Sequence, residues 1–451
     1  HEKVGRACLN AARDLVMAAI EDQPFDLPAT VNQLRALADS LCLGPSTACI
    51  VDGASERRIP AIRLTDGNLV QLGYGARQHR IWTAETDKTS AIAESIASDK
   101  NLTKTLLQAC GVPIPEGRLV ESPQDAWEAA EEIGVPVVVK PLDANHGRGV
   151  STELMSQAEV EAAYQLAINE GSGVIVERFV RGNEHRMLIV GGKLAAAARG
   201  ESVMVVGDGR STIRLLIDNQ VNIDPRRGST EDYPLDLVLL EEDSAVRFEL
   251  ARQGMEPDTI PPAGKKIMIQ RNGNVAIDVT DLVHPDVVAV AALAARVVGL
   301  DIAGIDLVAE DISRPLEAQR GAIVEVNAGP GLLMHLKPAE GEARPVGQAI
   351  VNSLFPGEEN GRIPVVGISG THGKTLVARL VARLLHLSGK QVGMTCDEGL
   401  YMNQRRLEKG NCATWAAARK VLLNRAVEAA VLVNGAREIL AEGLAYDRCQ
   451  V

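Results

Sequence analysis

The stretch that decides the fold is GIDLVAEDISRPLEAQRGAIVEVNAGPGL, residues 304–332. It contains two apolar runs with the length and branched side chains typical of strands. Glu325 and Asn327 stand two residues apart in the second run, so their side chains share one face. Such a pair is costly to bury without a counter-ion. Because carboxylate and amide oxygens are ligands for Mg²⁺, we predict a magnesium site formed by Asp306, Glu325 and Asn327, in preference to a half-buried polar pair.

A basic, glycine-rich group lies upstream of this stretch. Lys104 belongs to DKNLTKTLL, and Lys140 to VKPLDANHGRGV. Two lysines beside a glycine loop suit nucleotide phosphates, since glycine lets backbone N–H groups approach an anion. The predicted loop consists of His146, Gly147, Arg148 and Gly149. Two surface lysines and a turn remain the alternative, because a glycine loop alone is a weak signal.

A third group follows in VIVERFVRGNEHR, residues 174–186. A strand that ends at Glu177 and continues into Phe179 and Val180 places an apolar hinge where adenine can bind. Glu184 is then available to accept hydrogen bonds from ribose hydroxyls. A hairpin with a charged edge is the alternative interpretation.

The bulk composition is that of a globular protein. Of 451 residues, 46% are hydrophobic and 24% are charged, and the net charge is −12. This charge argues against nucleic acid or an anionic membrane as a main partner, and 3% aromatic residues argue against stacking on bases. Seven scattered cysteines favour neither a disulfide framework nor a zinc site, and they suit the cytoplasm.

In this order and spacing the three groups resemble the ATP-grasp ligases, and specifically the cyanophycin synthetases. The resemblance covers roughly residues 20–355 and is carried by the segments 43–64, 69–107, 136–150, 205–218, 222–228 and 325–347. It implies an α/β multidomain chain: an ATP-grasp fold followed by a truncated Mur-ligase-like P-loop α/β domain. We divide the chain into the end of an N-terminal domain (1–24), an ATP-grasp domain (25–357, with 25–95 as its first part) and a Mur-like domain (358–451).

The resemblance also implies an activity and its residues. ATP phosphorylates the C-terminal carboxylate of a cyanophycin primer, and an incoming amine attacks the acyl phosphate. The resemblance implies that Lys104, Lys140 and the 146–149 loop bind the phosphates. It implies that Asp306, Glu325 and Asn327 bind Mg²⁺. The adenosine set is Glu177, Phe179, Val180 and Glu184. Arg186 and Arg271 are candidates for the acyl phosphate and the oxyanion, because a guanidinium is always charged. A homodimer or higher homo-oligomer is implied as well.

A second nucleotide loop, GISGTHGKT, occupies residues 367–375. Mur ligases follow such a loop with a strand whose terminal glutamate helps to hold Mg²⁺. Here the matching strand reads AVLVNGAREIL, with Val433 at the glutamate position. We therefore predict a type 2 enzyme, which joins β-aspartyl-arginine dipeptides at one ATP site. A type 1 enzyme, which adds aspartate and arginine at two sites, and a ligase of another peptide stay open as alternatives.

The ends of the chain are part of the same expectation. The sequence begins with His1 rather than methionine and stops in mid-pattern at Val451. We expect further sequence before His1, and we expect loops after the segments RNGN and PRRG that are longer in the family.

Overall fold

The computed structural model describes residues 1–142, 149–228, 233, 235–241 and 243–449; the side chains of 244, 245 and 271–275 are not described. Contacts divide the chain into two compact units. Unit 1 consists of His1–Asp87 and Val351–Val451, and unit 2 consists of Lys88–Ile350. Each unit is described by itself below.

Unit 1 begins with three helices and a small antiparallel sheet. These elements are α1 (Glu2–Ile20), α2 (Leu27–Leu41), α3 (Pro45–Glu56), β1 (Ala61–Arg63), β2 (Leu69–Leu72), β3 (His79–Trp82) and β4 (Glu85–Thr86), with strand order β1-β2-β3-β4. Proline at the start of α2 and of α3 fits a first turn whose N–H groups have no helical acceptor. Among the described residues no helix alone has the length and apolar content to cross a membrane; α2 and α3 reach it only as a pair bent by 70°.

Unit 2 opens with two helices that precede a four-stranded antiparallel sheet covered by two more helices. The elements are α4 (Ala91–Ser98), α5 (Lys100–Ala109), β5 (Gly117–Val120), α6 (Pro123–Ile133), β6 (Val137–Pro141), β7 (Ser151–Leu154), α7 (Gln157–Glu170) and β8 (Val174–Arg178), with sheet order β5-β8-β6-β7. Small alanines of α6 and α7 pack on the valines of β6 and β8. This packing leaves the other face of the sheet for polar side chains.

A second sheet forms the rest of unit 2. The elements are β9 (Asn183–Val190), β10 (Lys193–Val206), α8 (Ile213–Gln220), β11 (Arg227–Gly228), β12 (Leu235–Asp236), α9 (Ser244–Arg252), β13 (Lys266–Asp278), α10 (Pro285–Val298), β14 (Ile302–Ala309), β15 (Ala322–Asn327) and α11 (Leu333–Leu336). Its strand order is β13-β10-β9-β14-β15. The apolar face of α10 packs against this sheet together with Leu107 of α5, whereas α8 and α9 form a separate core with the far ends of β10 and β13.

The C-terminal elements form the α/β layer that the sequence predicts. They are α12 (Val346–Leu354), β16 (Val365–Ile368), α13 (Lys374–Leu387), β17 (Val392–Cys396), β18 (Gly399–Met402), β19 (Arg405–Lys409), α14 (Trp415–Leu423), β20 (Ala429–Val433) and α15 (Ala436–Glu442). The sheet order is β16-β20-β17-β18-β19, with β20 parallel to both β16 and β17. The nucleotide loop therefore joins a parallel strand to a helix, as its sequence indicates.

Residues 61–87 share their core with this C-terminal layer inside unit 1. Tyr74 is 3% exposed and packs with Ile363, Val365 and Val427. Gly75 has φ +57, and a Cβ there would lie 2.3 Å from the carbonyl oxygen of Val427. Tyr74, and Ile62 of β1, thus pack in one core with residues of 363–446, whereas the sequence-based division assigns 25–95 to the ATP-grasp domain. The domain boundaries stay a prediction.

Candidate active site

Two antiparallel sheets of unit 2 and one turn of α5 carry the residues of the candidate site. Lys140 lies on β6 and Glu177 on β8, where Lys140 is the partner of Ile175 and Glu177 the partner of Val138. The two charged side chains are therefore diagonal neighbours on one face of the sheet. Along both strands the charged residues alternate with valines that are buried beneath α6 and α7. Burial of that apolar face is what aims the charged residues away from it.

Two lysines converge on the carboxylate of Glu177. The Lys104 ammonium contacts Oε1 of Glu177, and the Lys140 ammonium lies 3.0 Å from Oε2. The Glu177 side chain is only 3% exposed, and the lysine side chains are 13% and 12% exposed. A buried carboxylate bridged by two buried cations leaves one positive charge in excess, which favours an anionic ligand beside it.

Both lysines are perturbed by this environment. Burial, together with the neighbouring Lys100, lowers the pKa of Lys140 to about 8. Burial also holds the pKa of Lys104 well below its ordinary value, and Lys140 adds to the effect. The two lysines are thus poised to gain from an incoming negative charge.

The acidic end of the site is a row across three adjacent strands. Arg186 on β9 is the partner of Asp306 on β14, and Asp306 is the partner of Glu325 on β15. Arg186 grips Asp306 with its guanidinium, Nη2 donating to Oδ2 at 2.7 Å, and Asn327 donates from Nδ2 to the same oxygen at 3.1 Å. The register therefore brings the three predicted magnesium ligands together, with Arg186 beside them.

Lys100 also belongs to this site, although the sequence reasoning missed it. Its ammonium lies 3.2 Å from Oε1 of Glu325, and its side chain is 16% exposed. Lys100 and Lys104 are four residues apart on α5 and so share one face of the helix. The spacing K-x-x-x-K was the signal available in the sequence.

The donor set of the acidic row fits Mg²⁺ in chemistry. Asp306, Glu325 and Asn327 present hard oxygens, and Asp306 is 2% exposed. Burial raises the pKa of Asp306 to about 7 although Arg186 opposes the rise. Burial would raise the pKa of Glu325 too, but Lys100 outweighs it and holds this pKa below its ordinary value. Among the described residues no cluster of three His, Cys, Asp or Glu side chains forms a metal site; the predicted set has two carboxylates and one amide, and cations of the chain engage both carboxylates.

The adenosine residues predicted from sequence adjoin the lysines. Val180 is 5% exposed, Phe179 is half-buried, and the Phe179 N–H donates to the carbonyl oxygen of Pro136 at 3.1 Å. Glu184 lies two residues before Arg186 on β9, on the same face. Burial raises the pKa of Glu184, and the nearby Glu325 adds to the rise. Their roles toward adenosine stay predictions.

Four of the predicted site residues lack a described side chain. His146, Gly147 and Arg148 lie outside the described residues, and the side chain of Arg271 is not described. Gly149 is described: it has φ +69, and a Cβ there would lie 3.1 Å from the Glu170 side chain. Close packing on α7 is therefore sufficient reason for glycine at 149.

His335 is a second group that the sequence reasoning left without a role. It lies on α11 and is 3% exposed. Burial lowers the pKa of His335 to about 4, and Arg186 contributes in the same direction. The imidazole is therefore neutral near pH 7.

The nucleotide loop of unit 1 has the local form of a P-loop, but the neighbouring strand β20 ends in Val433 and not in an acidic residue. Gly373 has φ +75 and precedes α13, which begins at Lys374. The Lys374 ammonium lies 3.9 Å from Asp397. Val433, which ends β20, is 1% exposed and packs in the apolar core under α13. Val433 is therefore at the end of a strand, as the sequence predicts, and Glu438 lies beyond that strand, within α15.

Comparisons with known proteins agree with this geometry. Residues 93–231 match the family model described as an ATP-grasp domain. The chain is 39% identical over 460 residues to a cyanophycin synthetase of Trichormus variabilis, covering 100% of this chain and 51% of the relative. The chain thus spans about half the length of that relative.

Two further matches come from glutathione biosynthesis. A bifunctional protein of Clostridium perfringens is 31% identical over 300 residues, covering 64% of this chain and 38% of the relative. The crystal structure of a bifunctional glutathione synthetase from Pasteurella multocida matches with a TM-score of 0.49 and 25% identity, covering 73% of this chain and 46% of that one.

The family match lies within unit 2, where it includes both lysines of α5, Lys140 and the β8–β9 segment. Residues 93–231 therefore form an ATP-grasp domain.

Proposed function

We propose that this protein polymerises β-aspartyl-arginine dipeptides into cyanophycin at a single ATP-grasp site, as a type 2 cyanophycin synthetase. The C-terminal carboxylate of the primer is phosphorylated by ATP, and the amine of the incoming dipeptide displaces phosphate from the acyl phosphate. Cytoplasmic location and homo-oligomeric assembly are parts of the same proposal.

The observation that carries the proposal is the pairing of two charged clusters on facing elements of one unit. The first cluster is Lys104 and Lys140 on Glu177, and the second is Lys100 and Arg186 on the acidic row. Phosphoryl transfer to a carboxylate brings two anions together, so positive charge held in place is what the reaction needs. Similarity to a cyanophycin synthetase along the whole chain supports this polymer as the product.

Each cluster has a role under this proposal. Lys140, Lys104 and Lys100 stabilise phosphate oxygens, and Val180 with Glu184 positions the nucleoside. Arg186 holds Asp306 and stabilises negative charge on the acyl group. Asp306, Glu325 and Asn327 would hold Mg²⁺, which when bound neutralises charge between the phosphates. Because these groups are fixed by strand register and burial, little reorganisation is needed during the reaction.

A single active site is supported by Val433. A buried valine cannot ligate a metal ion, and loss of an anionic ligand usually lowers the rate of phosphoryl transfer by orders of magnitude. The loop 370–375 is then a retained fold element. Two ATP sites, as in a type 1 enzyme, are the competing outcome of the test below.

The test offers two sets of substrates to the purified protein. With ATP, Mg²⁺ and a cyanophycin primer, we expect incorporation of β-aspartyl-arginine dipeptide and no incorporation of free aspartate plus arginine. Lys374→Ala should retain the wild-type rate within about twofold, because it alters only the second loop. Incorporation of the free amino acids, with its loss in Lys374→Ala, would support the type 1 enzyme, and ATP hydrolysis without either incorporation would point to another peptide.

The pH dependence of ATP use is a further expectation. Lys140 carries its proton below a pKa of about 8 and loses it as the pH rises through that value, which removes a positive charge from the phosphate site. We therefore expect kcat/KM for ATP, which reports the free enzyme, to fall above about pH 8. In Lys140→Arg this alkaline fall should disappear, since guanidinium stays charged. A wild-type profile that is flat to pH 10 would contradict the role of Lys140.

A further inference from the structure

Each carboxylate of the acidic row is held by a cation of the chain itself. Arg186 holds Asp306 through a two-pronged contact that Asn327 reinforces, and Asp306 is nearly inaccessible. Glu325 is different. It is held by the single ammonium of Lys100 at 3.2 Å, and its side chain is 32% exposed.

This difference decides which of the two ion pairs, Arg186–Asp306 or Lys100–Glu325, a ligand can break. A guanidinium that binds a carboxylate in two places is fixed in direction, whereas an ammonium is a point charge on a flexible stem. The Glu325 side chain is also 32% exposed, against 2% for Asp306, so a ligand can reach it from solvent. The contact between Lys100 and Glu325 is therefore the part of the row that a ligand breaks most readily.

Each member of this pair can also bind a ligand of the site. A divalent cation at Glu325 competes with the Lys100 ammonium for the same oxygen. A phosphate group near α5 competes with Glu325 for the same ammonium. Whichever ligand binds first breaks the contact, and the second ligand then no longer bears that cost.

We propose that the Lys100–Glu325 ion pair couples the binding of divalent cation and nucleotide, so that each ligand raises the affinity of the other. Linkage makes this effect reciprocal. The inference rests on the proposed function, because it takes the site to use a nucleotide and Mg²⁺. It adds that Lys100 is a positioning residue for Glu325 before it meets phosphate.

Metal binding in the absence of nucleotide gives the direct test. Mn²⁺ is titrated into the full chain and free Mn²⁺ is followed by electron paramagnetic resonance. We expect Lys100→Met to bind Mn²⁺ about fivefold more tightly than the wild type, because the competing ammonium is gone. A residue that merely supports folding would not tighten metal binding when it is removed.

Nucleotide binding gives the second half of the test. The Kd of AMP-PNP is measured with and without Mn²⁺, and the ratio of the two values measures coupling. Complex formation between metal and nucleotide in solution is the same for every variant, so differences in the ratio belong to the protein. We expect the ratio to shrink at least severalfold in Lys100→Met and to stay near wild type in Lys100→Arg, which keeps the charge.

Controls separate the possible failures. Lys193→Met removes an exposed lysine from the β9–β10 turn of the same unit and should change neither measurement. If Lys100→Met does not fold, Lys100→Gln takes its place. Unchanged or weaker Mn²⁺ binding in both variants would overturn the coupling while the proposed function stands. A wild-type protein that binds neither Mn²⁺ nor AMP-PNP would overturn the proposed function itself.

Discussion

Glu325→Gln is expected to lower the rate of ATP-dependent ligation by on the order of 10³-fold. The amide has the size of the carboxylate but no negative charge, so it weakens a metal ligand without leaving a cavity. It also removes the partner of Lys100, whose ammonium lies 3.2 Å away. The measurement is product formed per enzyme at saturating ATP and Mg²⁺, with primer and dipeptide present.

A matched control shows whether this loss is specific to the site. Glu310→Gln makes the same chemical change at an exposed position just beyond β14 and should leave the rate within about twofold. Both variants should keep the wild-type circular dichroism spectrum. A Glu325→Gln protein with more than a tenth of the wild-type rate would remove Glu325 from the metal ligands.

Much of the site could be predicted because its residues alternate on strands. Glu325 and Asn327 share a face by their spacing alone, and both lie on β15 as the sequence indicates. The apolar runs around Lys140 and Glu177 likewise predict β6 and β8. In each case an apolar face buried under helices leaves the charged residues on the other side, so a local pattern is sufficient.

The partners within the site could not be predicted in this way. Lys104 was expected at a phosphate, yet in the structure its ammonium meets Glu177, more than seventy residues later in the chain. Lys100 went unnoticed because a lysine at a helix start resembles any exposed lysine. Which carboxylate each lysine meets depends on the order of strands in two sheets, and strand order is set by long-range packing that no local pattern records.

The same reason limits what the sequence says about domains. The run LVQLG, residues 69–73, has the pattern of a strand, and β2 forms there. Tyr74, which follows β2, nevertheless packs in one core with Ile363 and Val427 from the C-terminal part of the chain. A strand of four residues cannot bury its apolar face alone, and composition does not reveal which distant segment will cover it.

Glu177→Gln is expected to lower the free energy of unfolding of unit 2 by about 3–5 kcal/mol, because it leaves two buried ammonium groups without their carboxylate. The wild-type contacts join both lysines to a side chain that is 3% exposed. Guanidinium unfolding of the full chain can be followed by Trp127, which lies on α6 and packs on the same sheet, after Trp82→Phe and Trp415→Phe have removed the signals from unit 1.

The charge origin of this loss is testable in the same experiment. Lys104→Met added to Glu177→Gln removes one unpaired ammonium and should restore part of the stability. The control Glu132→Gln breaks a surface pair with Arg118 and should lower the free energy of unfolding by less than about 1 kcal/mol.

The pH dependence of stability tests the same point. Since burial lowers the pKa of Lys140 to about 8, below its unfolded value of about 10.4, the unfolded chain holds more protons between about pH 8 and about pH 10.4 than the folded chain. The stability of the wild type should therefore rise with pH across that window, and the loss in Glu177→Gln should shrink there as the unpaired ammonium groups lose their protons. A loss that is independent of pH, and undiminished in the double variant, would assign the effect to packing instead of charge.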